Sequence, residues 1–216
     1  MGQDTIKPTT MLSTLATILL FPTLVTSGST SYYAYSIQEQ SWISISGSSN
    51  VSTFECYSNS NFTKGIIHVN TNEFGNTFDF SDALMHLEIE SFDCKNPLLN
   101  KDLYKALGAK ENPNILIELQ NAEFLPTKNQ DQVSGYMNVS LAITINGKCK
   151  IVNMPVNWIK ANETDFRFIG SYDINMTDFE ITPPSPAFGL VKVNEWITIN
   201  FNLAIKASSP NYADIN

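Results

Sequence analysis

Side chains that could perform acid–base catalysis are few, and their surroundings favour structural roles. His68 lies in a predicted strand and His86 comes just before Leu87, and neither belongs to a catalytic motif. Histidine is the usual general base, so two isolated histidines give little support to an enzyme. Glu88 and Glu90 share one face of a predicted strand, whereas glycoside hydrolysis needs two carboxylates facing each other across a cleft. We therefore interpret these glutamates as part of a solvated sheet edge.

Nucleophilic and metal chemistry are also poorly represented in the sequence. The Gly-x-Ser-x-Gly motif of a nucleophile elbow is absent, as are glycine-rich phosphate loops. Cys56, Cys94 and Cys149 have no CxxC spacing, so they give no zinc-binding pattern and no metal is predicted. Three pairings of these cysteines are open, and each leaves one thiol free. Cys149 follows an Asn-Gly turn and is interpreted as a half-buried, inert cysteine.

The clearest structural pattern in the chain is a long β-hairpin. Over residues 135–145 apolar residues alternate with more polar ones, which is typical of a strand with one buried face. Asn146-Gly147 follows, and this dipeptide accepts the positive φ angles of a type I′ turn. The returning strand repeats the alternation. The apolar face of the hairpin is predicted to carry Met137, Val139, Leu141, Ile143, Ile145, Val152, Met154, Val156 and Trp158.

Further alternating segments, above all 166–176 and 197–205, predict an all-β fold. We expect a single extended antiparallel β-barrel of about eight strands, because closure removes the exposed edges of the sheet. Such a barrel either fills its interior or holds one small ligand. Large aromatic and thioether side chains on the inward faces suit an adaptable apolar cavity, but the pattern by itself favours a plain packed core. The candidate ligand contacts are Met137, Leu141, Met154, Trp158, Phe166, Phe168, Tyr172 and Phe201.

One short amphipathic helix is predicted over residues 97–107. Asn96 is a suitable N-cap, and Pro97 suits the first helical position. Gly108 suits the position just after the helix. Two placements are open, since the helix could cover one opening of the barrel or pack as an ordinary surface helix on the sheet edge.

Composition and chain ends indicate an exported, acidic protein with one domain. Charged residues make up 16% of the 216 residues and the net charge is −8, which disfavours nucleic acid and anionic membrane surfaces as partners. Residues 11–25 form an uncharged apolar run, preceded by Lys7 and followed by small residues, as in a signal peptide. The run is shorter than the roughly 20 residues of a membrane-spanning helix, so no stable membrane insertion is expected after cleavage. The predicted segments are a signal peptide (1–28), a flexible lead-in (29–36), the barrel domain (37–207) and a disordered tail (208–216).

Several of these segments together resemble the YceI-like family of polyisoprenoid-binding, lipocalin-like proteins. Residues 42–56 resemble the opening strand of that family, and residues 92–115 look like its central helix and the strand that follows. Residues 135–148 are similar to its Gly-x-Leu-Thr-Ile-x-Gly hairpin. Residues 176–184 and 189–193 resemble its late loop and the approach to its last strand. The resemblance covers about residues 35–206 in the right order, and the cysteines at 56 and 94 look like those of a Bacteroidetes-type branch.

The resemblance implies a protein that binds a polyisoprenoid, such as a quinone or prenyl phosphate, in a long apolar tunnel. It also implies a disulfide between Cys56 and Cys94, a free Cys149, and a periplasmic or secreted location. The expected role is carriage, storage or a stress response, without catalysis and without a cofactor beyond the lipid. A filled barrel that acts as a surface interaction module is the first alternative. A lipid-modifying enzyme is the second, and it would need a polar pair at the barrel mouth, for which Asp178, His86 and Arg167 are candidates. The oligomeric state stays open.

Overall fold

Twelve β-strands and one α-helix make up the described part of the chain, which in this computed structural model comprises residues 29–58, 64–72, 74–125 and 133–209. The predicted signal peptide and most of the predicted tail lie outside these residues. The strands are β1 Ser29–Ile37, β2 Trp42–Ser49, β3 Thr53–Ser58, β4 Lys64–Thr71, β5 Thr77–Ser81, β6 Leu84–Glu88, β7 Phe92–Asp93, β8 Asn114–Phe124, β9 Ser134–Ile145, β10 Lys148–Lys160, β11 Asp165–Asn175 and β12 Val193–Ser208, and the helix is α1 Pro97–Ala106.

Eight of the strands hydrogen-bond in a closed antiparallel ring. The order around the ring is β1, β4, β5, β8, β9, β10, β11 and β12, and β12 pairs with β1 again. Closure leaves none of these eight strands with a fully open edge, which is the reason an amphipathic sheet of this size curls on itself. The predicted fold class, an all-β antiparallel barrel with one short helix, is confirmed.

The first strand corrects the prediction of a flexible lead-in over residues 29–36. This segment is β1, which pairs with β4 over eight residue positions and places Ile37 opposite Ile205 of β12. The many serines and tyrosines of the segment concealed a strand whose Tyr33 and Tyr35 lie on the inward face. Without β1, one edge of β4 and the last residues of β12 would lack a partner.

The predicted hairpin is present as β9 and β10. Twelve residue pairs run from Ile145–Lys148 to Ser134–Ile159. Asn146 and Gly147 have φ angles of 50° and 72°, so both central residues of the turn adopt the left-handed conformation that a type I′ turn requires. The hairpin therefore follows directly from local sequence.

Four additional strands lengthen the barrel at the end that carries α1. The sixteen-residue β12 pairs with β1 near its end and with β2 nearer its start, and β3 and β7 continue from β2. On the other side, β6 pairs with the first half of β8. A 3-10 turn, Ile89–Ser91, joins β6 to β7 and completes the wall. We call this part of the molecule the helix end.

The helix end contains a closely packed apolar core. Phe92 and Phe179 are almost fully buried, and Cys56 is completely buried. The Cys56–Cys94 disulfide joins β3 to the residue just before the helical segment. The other members of the buried cluster are Ile43, Ile45, Leu87, Ile89, Leu107, Ala109, Ile115, Ile143, Ile145, Val152, Ile174, Met176, Ile181 and Ile197.

The helix begins and ends as predicted and covers the barrel at this end. The Asn96 side chain accepts hydrogen bonds from the backbone N–H groups of residues 98 and 99 at 3.0 and 3.4 Å. Gly108 follows the helix with a φ of 71°. Leu103 packs on the buried cluster, and a small apolar cavity of about 40 Å³ lies between the helix and the inward-facing Ile45 and Ile197. Because the helix faces inward-pointing residues, the first of the two predicted placements is the one observed.

Asp93, just before the helix, is held in its ionised form by Lys95 and Asn100. Its carboxylate accepts hydrogen bonds from Lys95 Nζ at 2.7 Å, from the Lys95 backbone N–H at 2.8 Å and from Asn100 Nδ2 at 3.1 Å. The hydrogen bonds from Lys95, followed by that from Asn100, lower the pKa of Asp93 to about 2.

Asp93→Asn is expected to make the fold less sensitive to acid. Because the folded pKa lies below the ordinary value of 3.8, the ionised carboxylate stabilises the fold above that pH, and this contribution is lost as the pH falls towards 2. Urea unfolding at pH about 5 and about 2.5 should show a smaller loss of stability for Asp93→Asn than for the wild type. Equal losses in the two proteins would contradict this account.

Candidate ligand-binding site

All eight predicted ligand contacts lie on the inward faces of four neighbouring ring strands. The strands β9, β10, β11 and β12 are neighbours in the ring. Their pairing places Met137, Trp158, Phe168 and Leu203 close together on one face of the sheet. Alternation along each strand then fixes the direction of the remaining residues. β9 contributes Met137 and Leu141, β10 contributes Met154 and Trp158, β11 contributes Phe166, Phe168 and Tyr172, and β12 contributes Phe201.

Burial of the inward residues changes along the barrel. At the helix end, Ile143, Val152, Ile174 and Ile197 are buried. Farther along the barrel, several large apolar inward residues, mostly on β8, β11 and β12, retain accessible surface, whereas those of β9 and β10 are mostly buried. We call this second part the aromatic chamber; its partly exposed inward residues are Leu119, Phe124, Leu141, Phe166, Phe168, Tyr172, Ile199, Phe201, Leu203 and Ile205. A barrel filled by its own side chains would bury these positions as completely as those at the helix end.

A second buried cluster forms part of the wall of the aromatic chamber. Met137, Met154 and Trp158 belong to it, with 6%, 3% and 8% of their surface exposed. Val139, Val156 and Ala122 complete it. Methionine has a flexible, polarisable side chain that adapts to the shape of an apolar ligand. The two methionines and the aromatic residues around them therefore form a wall suited to a hydrocarbon chain.

Glycines opposite aromatic residues keep several rings against the wall. On inward faces, Gly170 lies directly opposite Phe201, and a Cβ at position 170 would overlap Cζ of that ring. Gly135 lies opposite Trp158 in the same way, with a Cβ position 3.1 Å from the indole Nε1. Each ring therefore occupies the space that a glycine side chain leaves empty.

Two strands that the sequence analysis did not use also line the chamber. Phe80 of β5 and Phe124 of β8 pack against the second cluster. The Phe124 ring contacts Phe78 and Trp158 edge to face, with centroid distances of 5.3 and 5.2 Å. Phe78 and Phe80 alternate along β5, and this short period-two pattern was the signal that could have identified the strand.

The candidates for catalysis do not form a polar pair inside the barrel. His86 and Arg167 are exposed and lie between inward residues of β6 and β11, so both point outward. Asp178 is exposed in the 3-10 turn Met176–Phe179, after β11. Glu88 and Glu90 are exposed, as expected for a solvated edge.

The cysteines and the possible metal ligands can also be located in the structure. Cys149 is exposed and free, so the prediction that it is half-buried was wrong: alternation along β10 places it on the outward face, opposite to the buried Val152. The disulfide that the resemblance implied, Cys56–Cys94, is present. Among the described residues, no group of three or more His, Cys, Asp or Glu side chains could hold a metal ion.

The barrel and its interior fall within a stretch of sequence that matches a known family. The YceI-like domain matches residues 38–205, which include every ring strand except β1. The chain belongs to the YceI-like family. The recognition made from the sequence motifs is confirmed at the level of the family, and the Bacteroidetes-type branch stays a prediction.

Solved structures of YceI-like and related proteins share this fold. BcnA from Burkholderia cenocepacia is 18% identical, with a TM-score of 0.59 over 78% of this chain and 99% of BcnA. A polyisoprenoid binding domain from Saccharophagus degradans, implicated in plant cell wall breakdown, is 10% identical, with a TM-score of 0.54 over 82% of this chain and 98% of that domain. No curated protein matches the sequence.

In the part of the chain that the structure describes, no helix has the length and apolarity needed to cross a bilayer.

Proposed function

We propose that this YceI-like protein is an exported, non-catalytic carrier or storage protein for an apolar, isoprenoid-like lipid, such as a quinone or prenyl phosphate. The observation that carries the proposal is the change in burial along the barrel. Inward apolar residues are packed at the helix end, but several large ones of the aromatic chamber, such as Phe166 and Phe168, keep accessible surface. An apolar cavity with few polar groups is the usual form of a lipid-binding site.

The energetics of the chamber suit a hydrocarbon tail. Burial of apolar surface contributes about 25 cal/mol per Å², less the cost of ordering the ligand. A long prenyl tail that buries roughly several hundred Å² would then bind with a dissociation constant on the order of micromolar or tighter. The inward positions over 137–145, 152–158, 166–174 and 197–205 are all uncharged, so they favour the tail rather than a charged head group. The name of the Saccharophagus domain supports the same ligand class.

Export is supported by two features of the chain. The apolar run over residues 11–25 is typical of a signal peptide. The Cys56–Cys94 disulfide suits an oxidising compartment, because the cytosol keeps such thiols reduced. We therefore propose a periplasmic or secreted protein.

Native mass spectrometry of the purified protein, followed by organic extraction, tests this function. The expected result is one bound prenyl lipid per protein molecule, identified by the mass of the extracted compound. A bare protein mass that stays unchanged after addition of quinones and prenyl phosphates would contradict the proposal and favour a filled barrel that acts through its surface. Chemical conversion of the added lipid would instead favour the enzyme alternative.

A further inference from the structure

One polar group in the wall of the aromatic chamber has no hydrogen-bond partner. Trp158 is 8% exposed, and within the described residues its indole Nε1 is buried without an acceptor. The buried carbonyl oxygen of the neighbouring Asn157 side chain also lacks a partner, but alternation places Asn157 on the outward face of β10. The unpaired N–H of Trp158 therefore belongs to the chamber wall.

An unpaired donor at this place is unusual. Buried polar groups of native proteins are nearly always hydrogen-bonded, because burial removes the water that would otherwise satisfy them. Tryptophan in a core normally directs its N–H to an acceptor. Here the surroundings are Phe124, at a ring-centroid distance of 5.2 Å, and Phe168, the residue opposite Trp158 on β11. Neither of these side chains can accept a conventional hydrogen bond.

The Nε1 edge of the indole faces the neighbouring strand β9. This edge lies over Gly135, where a Cβ would be only 3.1 Å from the nitrogen. Since glycine has no side chain, nothing at position 135 clamps this edge of the ring. Donation to a ligand inside the barrel therefore requires the ring to rotate away from β9.

We propose that the Trp158 N–H donates a hydrogen bond to an oxygen atom of the bound lipid, and that it thereby selects prenyl lipids with an acceptor oxygen, such as a quinone carbonyl, over pure hydrocarbons. The inference rests on the proposed function and goes beyond it, because it names the residue that recognises the polar end of the ligand. A site with one buried donor rejects an analogue that lacks the acceptor, because the donor then stays unpaired.

The test compares two ligands in three proteins. Isothermal titration calorimetry measures the affinity of a prenylated benzoquinone and of squalene, a prenyl hydrocarbon, for the wild type, Trp158→Phe and Phe168→Leu. The wild type should prefer the quinone, and Trp158→Phe should reduce this preference by about 10-fold, the effect of one hydrogen bond to a buried donor. Phe168→Leu shortens the side chain next to Trp158 on β11 without removing a donor, so it should change both affinities by a similar factor. Both ligands lose the same packing contacts in a given variant. This common loss therefore cancels in the ratio of the quinone affinity to the squalene affinity.

A second measurement uses the unaltered protein. The indole N–H signals of ¹⁵N-labelled tryptophan report hydrogen bonding, and the absence of one signal in Trp158→Phe assigns residue 158. On addition of the benzoquinone the Trp158 signal should shift downfield, and squalene should not produce this shift.

The outcomes separate the inference from the function on which it rests. If both ligands bind but the ratio of affinities is unchanged in Trp158→Phe and the indole signal does not respond to the quinone, Trp158 does not read the polar end, and the carrier function stands. If neither ligand binds the wild type, the proposed function fails, and the inference fails with it.

Discussion

Leu203→Trp is expected to weaken the binding of a prenylated benzoquinone by about 10- to 100-fold. Leu203 is a partly exposed inward residue of β12, directly opposite Phe168. An indole at this position would extend into the space that the lipid tail needs. If the chamber is open, the larger ring fills it without displacing packed atoms, so thermal stability should stay close to that of the wild type.

Ile169→Trp is the matched control for this substitution. Ile169 lies on the adjacent strand next to Phe168 but points outward, with 36% of its surface exposed. The increase in side-chain volume is nearly the same at the two positions. The control should therefore bind the quinone as the wild type does, and calorimetric titration of the three proteins compares them directly.

The same pair of variants distinguishes an open chamber from a filled core. In a filled barrel, Leu203→Trp would overpack the interior and cost about 1–3 kcal/mol of stability. A clear fall in the melting temperature of Leu203→Trp alone, with no effect on quinone binding, would overturn the lipid-carrier proposal. It would support the surface interaction module instead.

Removal of the Cys56–Cys94 disulfide should give the largest change in stability among the substitutions considered. The bond links residues 38 positions apart in sequence, and it restricts the unfolded chain accordingly. For a loop of this length the expected loss is about 3–4 kcal/mol. In a domain of this size that corresponds to a fall in melting temperature of about 6–15 °C. Alanine is the suitable replacement, because Cys56 is completely buried and a serine hydroxyl there would add a polar group to the core.

The double variant Cys56→Ala/Cys94→Ala is best compared with Cys149→Ala by differential scanning calorimetry. Cys149 is exposed and unbonded, so its replacement should change stability by less than about 0.5 kcal/mol. Quinone binding well below the melting temperature should persist in both proteins, since the disulfide lies at the helix end and not in the aromatic chamber. A double variant that melts within a degree or two of the wild type would refute the stabilising role of the bond.

Local chemistry explains why much of the barrel was predictable. The turn at Asn146-Gly147 and the helix between Asn96 and Gly108 depend on residues next to one another in sequence, and both appear at the expected positions. Alternation along β9 to β12 likewise determines which residues share a face, and the eight candidate contacts do lie inward. Whether they contact a lipid stays a prediction.

Failures of prediction arose where long-range pairing outweighs local pattern. β1 has a polar composition and no strong alternation of hydrophobic residues, yet the open edges of β4 and β12 recruit it as the closing strand. The error at Cys149 has a different cause, because alternation along β10 already places this residue on the outward face, opposite to Val152 and Met154.

The sequence by itself determined the strand faces, the hairpin turn, the helix and the family, because each depends on short-range patterns or on the order of motifs along the chain. The tertiary structure alone decided which inward residues are packed and which line an accessible interior. Ile174 and Phe168 lie on the same face of one strand, but Ile174 belongs to the buried core of the helix end, whereas Phe168 packs on the second cluster and keeps accessible surface. That difference depends on what lies across the barrel, as does the unpaired N–H of Trp158, and neither is encoded in the period of a single strand.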